Sequence, residues 1–585
     1  MLYHRQTPRF LQPLAPDRLI LRLKTRRSKK QRCWVVYEDK SLKTAPMYPY
    51  AFTPHYIYYQ AEVKVSRPWQ VYYYFRCQRG DNPPKYLLAE GINKENRPFF
   101  YRWTPEAIFS VPDWIYDAVF YQIFPDRFYN ADPSNDPPGT EPWGGEPTRS
   151  NFFGGDLEGI RAKIPYLQFL GVNAIWLNPI FSSPSNHRYD TRDYLEIDPA
   201  LGDKTSLRQL TESLHAAGMR LILDGVFNHT GTEFWAFRDV VARGEDSPYR
   251  DWYYFHGFPV QTEPIPNYAC WWNIPSLPKL KATNPEVRRY LLEVGAYWLR
   301  EAGTDGWRLD VPNEIEPSFW REFRAKIKGT KPDAYIVGEI WRDARFWLQG
   351  RYFDGVMNYL FRDLVLAYFA CRRFKLSTLD FLLGLIRLRY PEPSNFALLN
   401  LLGSHDTARI ITAFQEGLAA VPGHMGSYAE AVEHLRPALI LQMTYPGAPL
   451  IYYGDEVGMT GGPDPGCRRT MVWDTDSWDV PLLNFYRRLI SIRHRLAPLR
   501  RGLFQPLAVN DLEEVYLYAR RLDKELAIIA INASDNPRVL EIEVDGLGWQ
   551  DGEGWRDVLG GAWGNVEGGR IVLEVGPNYG AIICR

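Results

Sequence analysis

Gly306-Trp-Arg308-Leu-Asp310 is an apolar run that ends in a guanidinium and a carboxylate, and the chain contains three counterparts of it. They are Asp224-Gly-Val-Phe-Asn228-His229, Gly338-Glu339-Ile-Trp341 and Ser404-His405-Asp406. A carboxylate that closes a buried strand loses its hydration and costs several kcal/mol unless it is paired or used. A single Asp after a strand is ordinarily a helix N-cap. Caps require neither an Arg two residues earlier nor a His-Asp pair, so the four segments together describe a site.

Working outward, the segments sit in a repeating rhythm of strand, loop and helix. The strands predicted are Ala118-Val-Phe-Tyr-Gln-Ile-Phe, Ala174-Ile-Trp-Leu, Arg220-Leu-Ile-Leu, Gly306-Trp-Arg-Leu, Ala334-Tyr-Ile-Val, Gly355-Val-Met-Asn, Ala397-Leu-Leu-Asn-Leu and Pro449-Leu-Ile-Tyr-Tyr. Between several of them lie stretches such as Ser206 to Met219 and Asn284 to Ala302, whose apolar residues recur at three and four. Eight such strands predict an α/β fold, a closed (β/α)8 TIM barrel. In that architecture catalytic groups gather at the C-terminal strand ends, where Asp224, Asp310, Glu339 and Asp406 fall.

Residues 1–112 are split by Pro, Gly and charged turns into alternating segments such as Gln70-Val-Tyr-Tyr-Tyr-Phe-Arg, and predict an antiparallel β-sandwich. The barrel then runs over 113–229 and 281–500. An inserted subdomain rich in aromatic and Pro residues occupies 230–280, and a C-terminal β-sandwich 501–585. The basic run from Lys24 to Arg32 is expected to be a solvated hairpin tip that blunts a sheet edge.

Composition excludes several partners. The 585 residues carry 69 Lys and Arg against 69 Asp and Glu, so no global field recruits nucleic acid or an anionic membrane. No apolar stretch of about 18 residues occurs to span a bilayer. Six scattered cysteines, Cys33, Cys77, Cys270, Cys371, Cys467 and Cys584, predict free thiols, and with the lack of an export signal at Met1-Leu-Tyr-His-Arg they predict a cytoplasmic protein. Twenty Trp and 37 Tyr exceed what a core needs, and flat aromatic faces stack on the C–H faces of sugars.

Cleaving a glycosidic bond with retention requires a carboxylate that attacks the anomeric carbon and a second that protonates the leaving oxygen, about 5–5.5 Å away. The four segments, in this order and on these strands, resemble the α-amylase superfamily of retaining glycoside hydrolases. The resemblance implies that Asp310 is the nucleophile, Glu339 the general acid and base, and Asp406 the group that binds the sugar hydroxyls and helps distort the ring. It further implies that Arg308 keeps Asp310 ionised, that Asp224, Asn228, His229 and His405 bind hydroxyls and support the nucleophile, and that Tyr189 stacks under the reacting glucose. Trp341 would form an apolar wall on the leaving-group side.

The β-rich segment before the barrel and Leu277-Pro-Lys-Leu280 resemble the cyclomaltodextrinase, neopullulanase and maltogenic amylase subgroup. This implies hydrolysis of α-1,4 bonds in cyclodextrins, pullulan and maltooligosaccharides, a homodimer, and contacts from Asp464 and Arg468 to the next glucose outward. Gly225 and Pro312 depart from the subgroup, standing where Ala is common, and Arg342 stands where His is usual. An acceptor side lined by Trp271, Trp272 and Trp341 favours sugar over water as acceptor, hence transglycosylation. The alternatives are an exo-acting α-glucosidase or glucan transferase on the same scaffold, and a non-catalytic sugar-binding module.

A second constellation, Asn130-Ala-Asp132-Pro-Ser-Asn135-Asp136 followed by Gly154-Gly155-Asp156, clusters side-chain oxygens without His or Cys. That chemistry suits a hard cation rather than zinc, although an ordinary Asx-rich turn uses the same residues. Resemblance to the subgroup's calcium site implies a structural Ca²⁺ on Asn130, Asp132, Asn135, Asp136, Gly155 and Asp156.

Overall fold

In the computed structural model, which describes residues 1–28, 30–94 and 97–585, eight parallel strands form one sheet. They are Phe120–Ile123, Ala174–Leu177, Arg220–Gly225, Gly306–Leu309, Tyr335–Gly338, Gly355–Val356, Leu399–Leu401 and Ala448–Tyr452. The eighth lies between the first and the seventh, and a parallel bridge from Met357 to Leu399 closes the ring between the sixth and the seventh. The strands are buried on both faces, which explains their continuous apolar runs.

Local chemistry starts the surrounding helices. Lys204–Ala216 is capped by Asp203, whose side chain accepts from Ser206 N, and it buries Leu207, Leu210, Thr211 and Leu214 at helical spacing. Pro285–Glu301 begins with Pro285 in the first turn and the Asn284 side chain as cap. Strand register then sets the layout of the barrel mouth. Asp224 pairs with Arg308 between strands three and four, and Leu309 with Gly338 between strands four and five. Asp310 and Glu339 are therefore the next residues outward on adjacent strands, which run about 4.8 Å apart.

Residues 230–280 stand over this end of the barrel. They contain the helix Trp235–Arg243 and a cluster of Trp235, Phe237, Tyr249, Trp252, Tyr253, Phe255 and Tyr268. Bridges from His229 to Lys279 and from Tyr253 to Leu280 tie the insertion back to the barrel.

Antiparallel strands before the barrel form a sandwich around Leu19, Leu21, Val35, Tyr59 and Phe75. The strand Ser41–Phe52 joins its layers: it pairs with Gln31–Asp39 up to Met47 and with Tyr56–Lys64 from Tyr48 onward, with a register shift at Pro49/Ala51 inside the second pairing. The strand pairing corrects two expectations. The basic run is not a hairpin tip, because Arg18–Arg26 and Gln31–Asp39 do not pair with each other and the segment crosses between layers; Lys24 lies over the Tyr56 ring and Arg27 over Phe52. Lys29, part of that run, lies outside the described residues. Cys33 and Cys77 are not free thiols: they face each other across Gln31–Asp39 and Gln70–Arg79 with Cα atoms 4.3 Å apart and are disulfide-bonded. Cys270, Cys371, Cys467 and Cys584 are unpaired.

The C-terminal strands form a six-stranded sheet facing the pair Arg538–Glu543 and Arg570–Val575, with Ile528, Leu540, Ile571 and Ile583 between them. Among the described residues, no helix is long and apolar enough to cross a membrane.

Candidate active site

Arg308 organises the C-terminal mouth of the barrel. It is fully buried, and its Nη1 donates to Asp224 Oδ1 at 2.8 Å and to Asp310 Oδ1 at 3.0 Å, while Nη2 lies 2.9 Å from Glu339 Oε1. The Trp176 ring sits 5.0 Å from its guanidinium carbon. One cation thus serves three carboxylates. Asp406 takes a second from the opposite wall, with Arg468 Nη2 at 3.3 Å from its Oδ1.

Four carboxylates against two guanidiniums leave the mouth short of positive charge. Burial and the neighbouring carboxylates push Asp310 well above the usual carboxylate range, against the pull of Arg308. Burial raises Asp224 to about 6, and burial with the Glu339 charge raises Asp406 to about 7. Arg308 draws Asp310 toward the ionised form, the direction expected of it, but divides that pull among three carboxylates, so the cluster titrates as a unit.

Glu339 is held from three sides. Trp341 Nε1 donates to its Oε1 at 3.2 Å, Val311 N to its Oε2 at 3.3 Å, and Arg308 completes the set. Val311 has φ 33° and ψ 48°, a left-handed conformation that a β-branched residue adopts only under strain. That strain, directly after Asp310, aims the backbone N–H at the second carboxylate. The Trp341 ring lies on Tyr359 with centroids 3.7 Å apart, which leaves its other face toward solvent.

The far wall is a polar chain. Gln122 Nε2 donates to His405 Nδ1 at 2.7 Å, which leaves the proton on Nε2. Nε2 lies 2.6 Å from Tyr189 Oη and 3.2 Å from Asp406 Oδ2. Tyr189 Oη also donates to Asp224 Oδ2 at 3.2 Å and accepts from Asn178 Nδ2 at 3.1 Å. Burial, with Arg468 and Arg308 nearby, holds His405 well below the ordinary imidazole range, so the ring is neutral. Arg468 reaches across this wall: Nε donates to His405 O at 2.9 Å, and Nη1 pairs with Asp464 at 3.1 Å.

Other residues singled out from the sequence lie to one side. His229 is buried and held down to about 3 by desolvation, and its ring stacks on Trp271 with centroids 5.8 Å apart. Asn228 Nδ2 lies 3.3 Å from His229 Nδ1. Asn228 Oδ1, His229 Nε2 and Trp271 Nε1 are buried without a hydrogen-bond partner. Trp272, 76% exposed, stacks on Trp271 at 4.9 Å and gives this rim a flat apolar surface. The Gly225 departure has a local cause, since a Cβ there would meet Phe227 at 2.8 Å and Trp307 at 3.2 Å.

Sequence reasoning missed Gln122, Asn178, Val311 and Tyr359. A polar Gln122 within Phe120–Ile123 was the available signal: a glutamine inside a buried apolar strand needs partners, and here they are His405 and Asn178.

The second constellation also assembles. Asn130 Nδ2 donates to Asp136 Oδ1 at 2.8 Å; Asp132 N and Ala131 N donate to Asp156 Oδ2 at 2.8 and 3.1 Å. Asn130 Oδ1 and Asn135 Oδ1 are buried acceptors without donors, and burial raises both Asp136 and Asp156. Oxygen acceptors lacking positive charge fit a hard cation. Gly154, rather than the expected Gly155, lies against them: with φ +79°, a Cβ on it would fall 2.2 Å from Asp136 Oδ1 and 2.4 Å from Asn130 Nδ2. Gly155 packs instead on Pro125 and Asp126.

Paired carboxylates on adjacent strand ends of a (β/α)8 barrel, bridged by one guanidinium beneath an aromatic rim, define a glycoside hydrolase. The chain belongs to the α-amylase family: residues 122–480 match the alpha amylase catalytic domain, and residues 1–112 the alpha amylase N-terminal ig-like domain. It is 40% identical to Neopullulanase 2 of Thermoactinomyces vulgaris over 100% of this chain and 98% of that protein. It is 41% identical to a cyclomaltodextrinase of Geobacillus thermopakistaniensis over 94% of this chain and 93% of the relative. A solved structure of a cyclomaltodextrinase superposes with a TM-score of 0.85 at 36% identity, covering 100% of this chain and 99% of that one.

Proposed function

We propose that this chain is an endo-type retaining hydrolase of α-1,4-glucosidic bonds in cyclodextrins, pullulan and maltooligosaccharides. The observation that carries it is Arg308, 3.0 Å from Asp310 and 2.9 Å from Glu339, which gathers the two carboxyl groups at adjacent strand ends; retention needs them about 5–5.5 Å apart. Asp310 attacks the anomeric carbon while Glu339 gives its proton to the departing glycosidic oxygen. Glu339 then takes a proton from water or an incoming sugar hydroxyl, which displaces Asp310 and frees the product. Asp406 and His405 bind hydroxyls of the reacting glucose, and Tyr189 supplies the face on which it stacks. Asp224 shares the charge of Arg308 and orients Tyr189, with Asn228 and His229 holding the neighbouring wall. Asp464 and Arg468 contact the next glucose outward. The rim of Trp271, Trp272 and Trp341 shields the intermediate from water and favours transfer to sugar.

The test is product analysis with β-cyclodextrin, pullulan, maltotriose and soluble starch in parallel. Cyclodextrin opened faster than starch, with transfer products at high maltotriose, is the expected result. Glucose from maltotriose with cyclodextrin intact would assign an exo-glucosidase instead.

The reading carries domain boundaries after residues 112, 229, 280 and 500, a homodimer, and a cytoplasmic location, which the 37% identity to a relative named intracellular maltogenic amylase supports. A monomer by sedimentation at micromolar concentration would remove the dimer, and secretion of the native chain would remove the location. It also carries a structural Ca²⁺ on Asn130, Asp132, Asn135, Asp136, Gly154 and Asp156, with Gly154 taking the place expected of Gly155. The ion would supply positive charge to the two orphaned Asn oxygens and pin the loop to the barrel. Chelation is expected to lower Tm by about 5 °C or more, the effect of a ligand well above its Kd, and calcium but not magnesium to restore it. An unchanged Tm would eliminate the ion.

A further inference from the structure

We propose that His424, Glu430 and His434, with Asp535, form a binding site for a zinc-like transition-metal ion, outside the catalytic cleft and bridging the barrel to the C-terminal strands. His424 lies between the helices Ile410–Ala419 and Tyr428–Thr444, while Glu430 and His434 are four residues apart on one face of the second. One ligand atom from each of the three lies within 4.8 Å of the others, and the two imidazole rings meet edge to face with centroids 5.1 Å apart.

Asp535 enters from the connection between the C-terminal strands Glu525–Asn532 and Arg538–Glu543, with its Oδ1 3.5 Å from His434 Nε2. That gap exceeds a good N–H···O bond but is close to the ~3.3 Å between two ligands of a tetrahedral ion with bonds of about 2.0–2.1 Å. Two neutral imidazoles and two carboxylates balance a divalent charge, and nitrogen donors select zinc, cobalt or nickel over calcium and magnesium.

A simpler account covers part of the cluster. Glu430 already folds the preceding loop onto the helix start: Oε2 accepts from Met425 N at 3.0 Å and Gly426 N at 2.8 Å, and Oε1 lies 2.6 Å from His424 Nδ1. It does not account for the Nε2 of His434, a ring 3% exposed, which faces Asp535 Oδ1 in the C-terminal connection at more than hydrogen-bond distance while that oxygen accepts from Asn578 Nδ2 at 2.7 Å. Arg372 opposes the ion, because Nη2 donates to His434 Nδ1 at 3.1 Å, and binding at Nε2 would put the ring proton on Nδ1. The same Nη2 also donates to Ala533 O at 2.8 Å, so metal binding requires it to swing off the ring while Nη1 keeps Glu514 Oε1 at 3.1 Å.

The experiment is equilibrium dialysis of the tag-free full chain against Zn²⁺ with calcium in excess to fill hard-cation sites, followed by metal analysis and a Co²⁺ titration read by visible absorption. One ion per chain is expected, with an intense tetrahedral Co²⁺ band. His434→Ala and His424→Asn are expected to weaken Co²⁺ binding at least about 100-fold, since removing a mere outer-shell partner already costs roughly 10–100-fold. His424 is in a loop, so His424→Asn keeps the test decisive should His434→Ala fail to fold, and α-glucan hydrolysis by each variant reports its fold. Absence of stoichiometric zinc, a weak octahedral cobalt spectrum, or binding that survives both substitutions would overturn the proposal.

Discussion

Asp310→Asn is expected to lower kcat by about four orders of magnitude or more while leaving the fold intact and raising its stability. The two effects share one cause. Asp310 is a buried carboxyl whose charge is opposed by desolvation and by Glu339, Asp224 and Asp406, and relieved by an Arg308 that it shares. The amide cannot form the covalent ester with the anomeric carbon. It also carries no charge to desolvate, and Arg308 keeps Asp224 and Glu339 as partners.

The sign in pH comes from the same groups. Asp224 at about 6 and Asp406 at about 7 lie above the 3.8 of an ordinary Asp, so between about pH 4 and pH 7 the native state binds more protons than the unfolded chain. Stability from these carboxyls is present at the acid end and is lost as pH rises through the native values. Removing one carboxyl relieves part of that loss. Above neutrality the variant's Tm should exceed that of the wild type by about 1–2 °C, the shift that roughly 1 kcal/mol produces in a barrel of this size, and its Tm should fall less steeply with pH. Calorimetry from pH 5 to pH 8 beside steady-state kinetics reads both. Near-normal turnover would refute the nucleophile, and a variant less stable than the wild type at pH 8 would refute the account of the charge cluster.

Glu339→Gln is expected to cost about three orders of magnitude with maltotriose and far less with an aryl glucoside whose phenolate leaves without a proton. With its carbonyl at the Oε1 position the amide still accepts from Trp341 Nε1 beside Arg308 and gives up only the longer contact from Val311 N, so the main missing function is the proton. Wild-type kcat/KM with maltotriose should decline as pH rises above the range in which the cluster retains a proton. That decline should be absent from the aryl substrate's glycosylation step in the variant. Equal losses on both substrates would rule out the acid role.

The barrel was legible because its strands are buried on both faces and read as uninterrupted apolar runs, and because each carboxylate falls where a run ends. Even the two-residue strand Gly355–Val356 stood out by its place in the rhythm. The candidate catalytic residues were legible for a related reason: strand end and charge together are improbable unless the charge is used. Less was visible in the sandwiches. The alternation of Gln70–Arg79 announces a half-buried strand and leaves its partners unnamed, so the pairing of Cys33 with Cys77 could not be read from spacing. The hairpin expected at Lys24 to Arg32 failed for the same reason, since composition cannot tell a turn within a sheet from a crossing between layers.

Sequence by itself determined the strand order of the barrel, the carboxylates at its mouth and the family, because these depend on periodicity and on residues close along the chain. Tertiary structure alone decided that Arg308 is divided among three carboxylates, that Gln122 sets the His405 tautomer across 283 residues, and that Gly154 rather than Gly155 backs the oxygen cluster. These are distances between groups remote in sequence, fixed when closure of the sheet brings its first and seventh strands to opposite sides of the eighth.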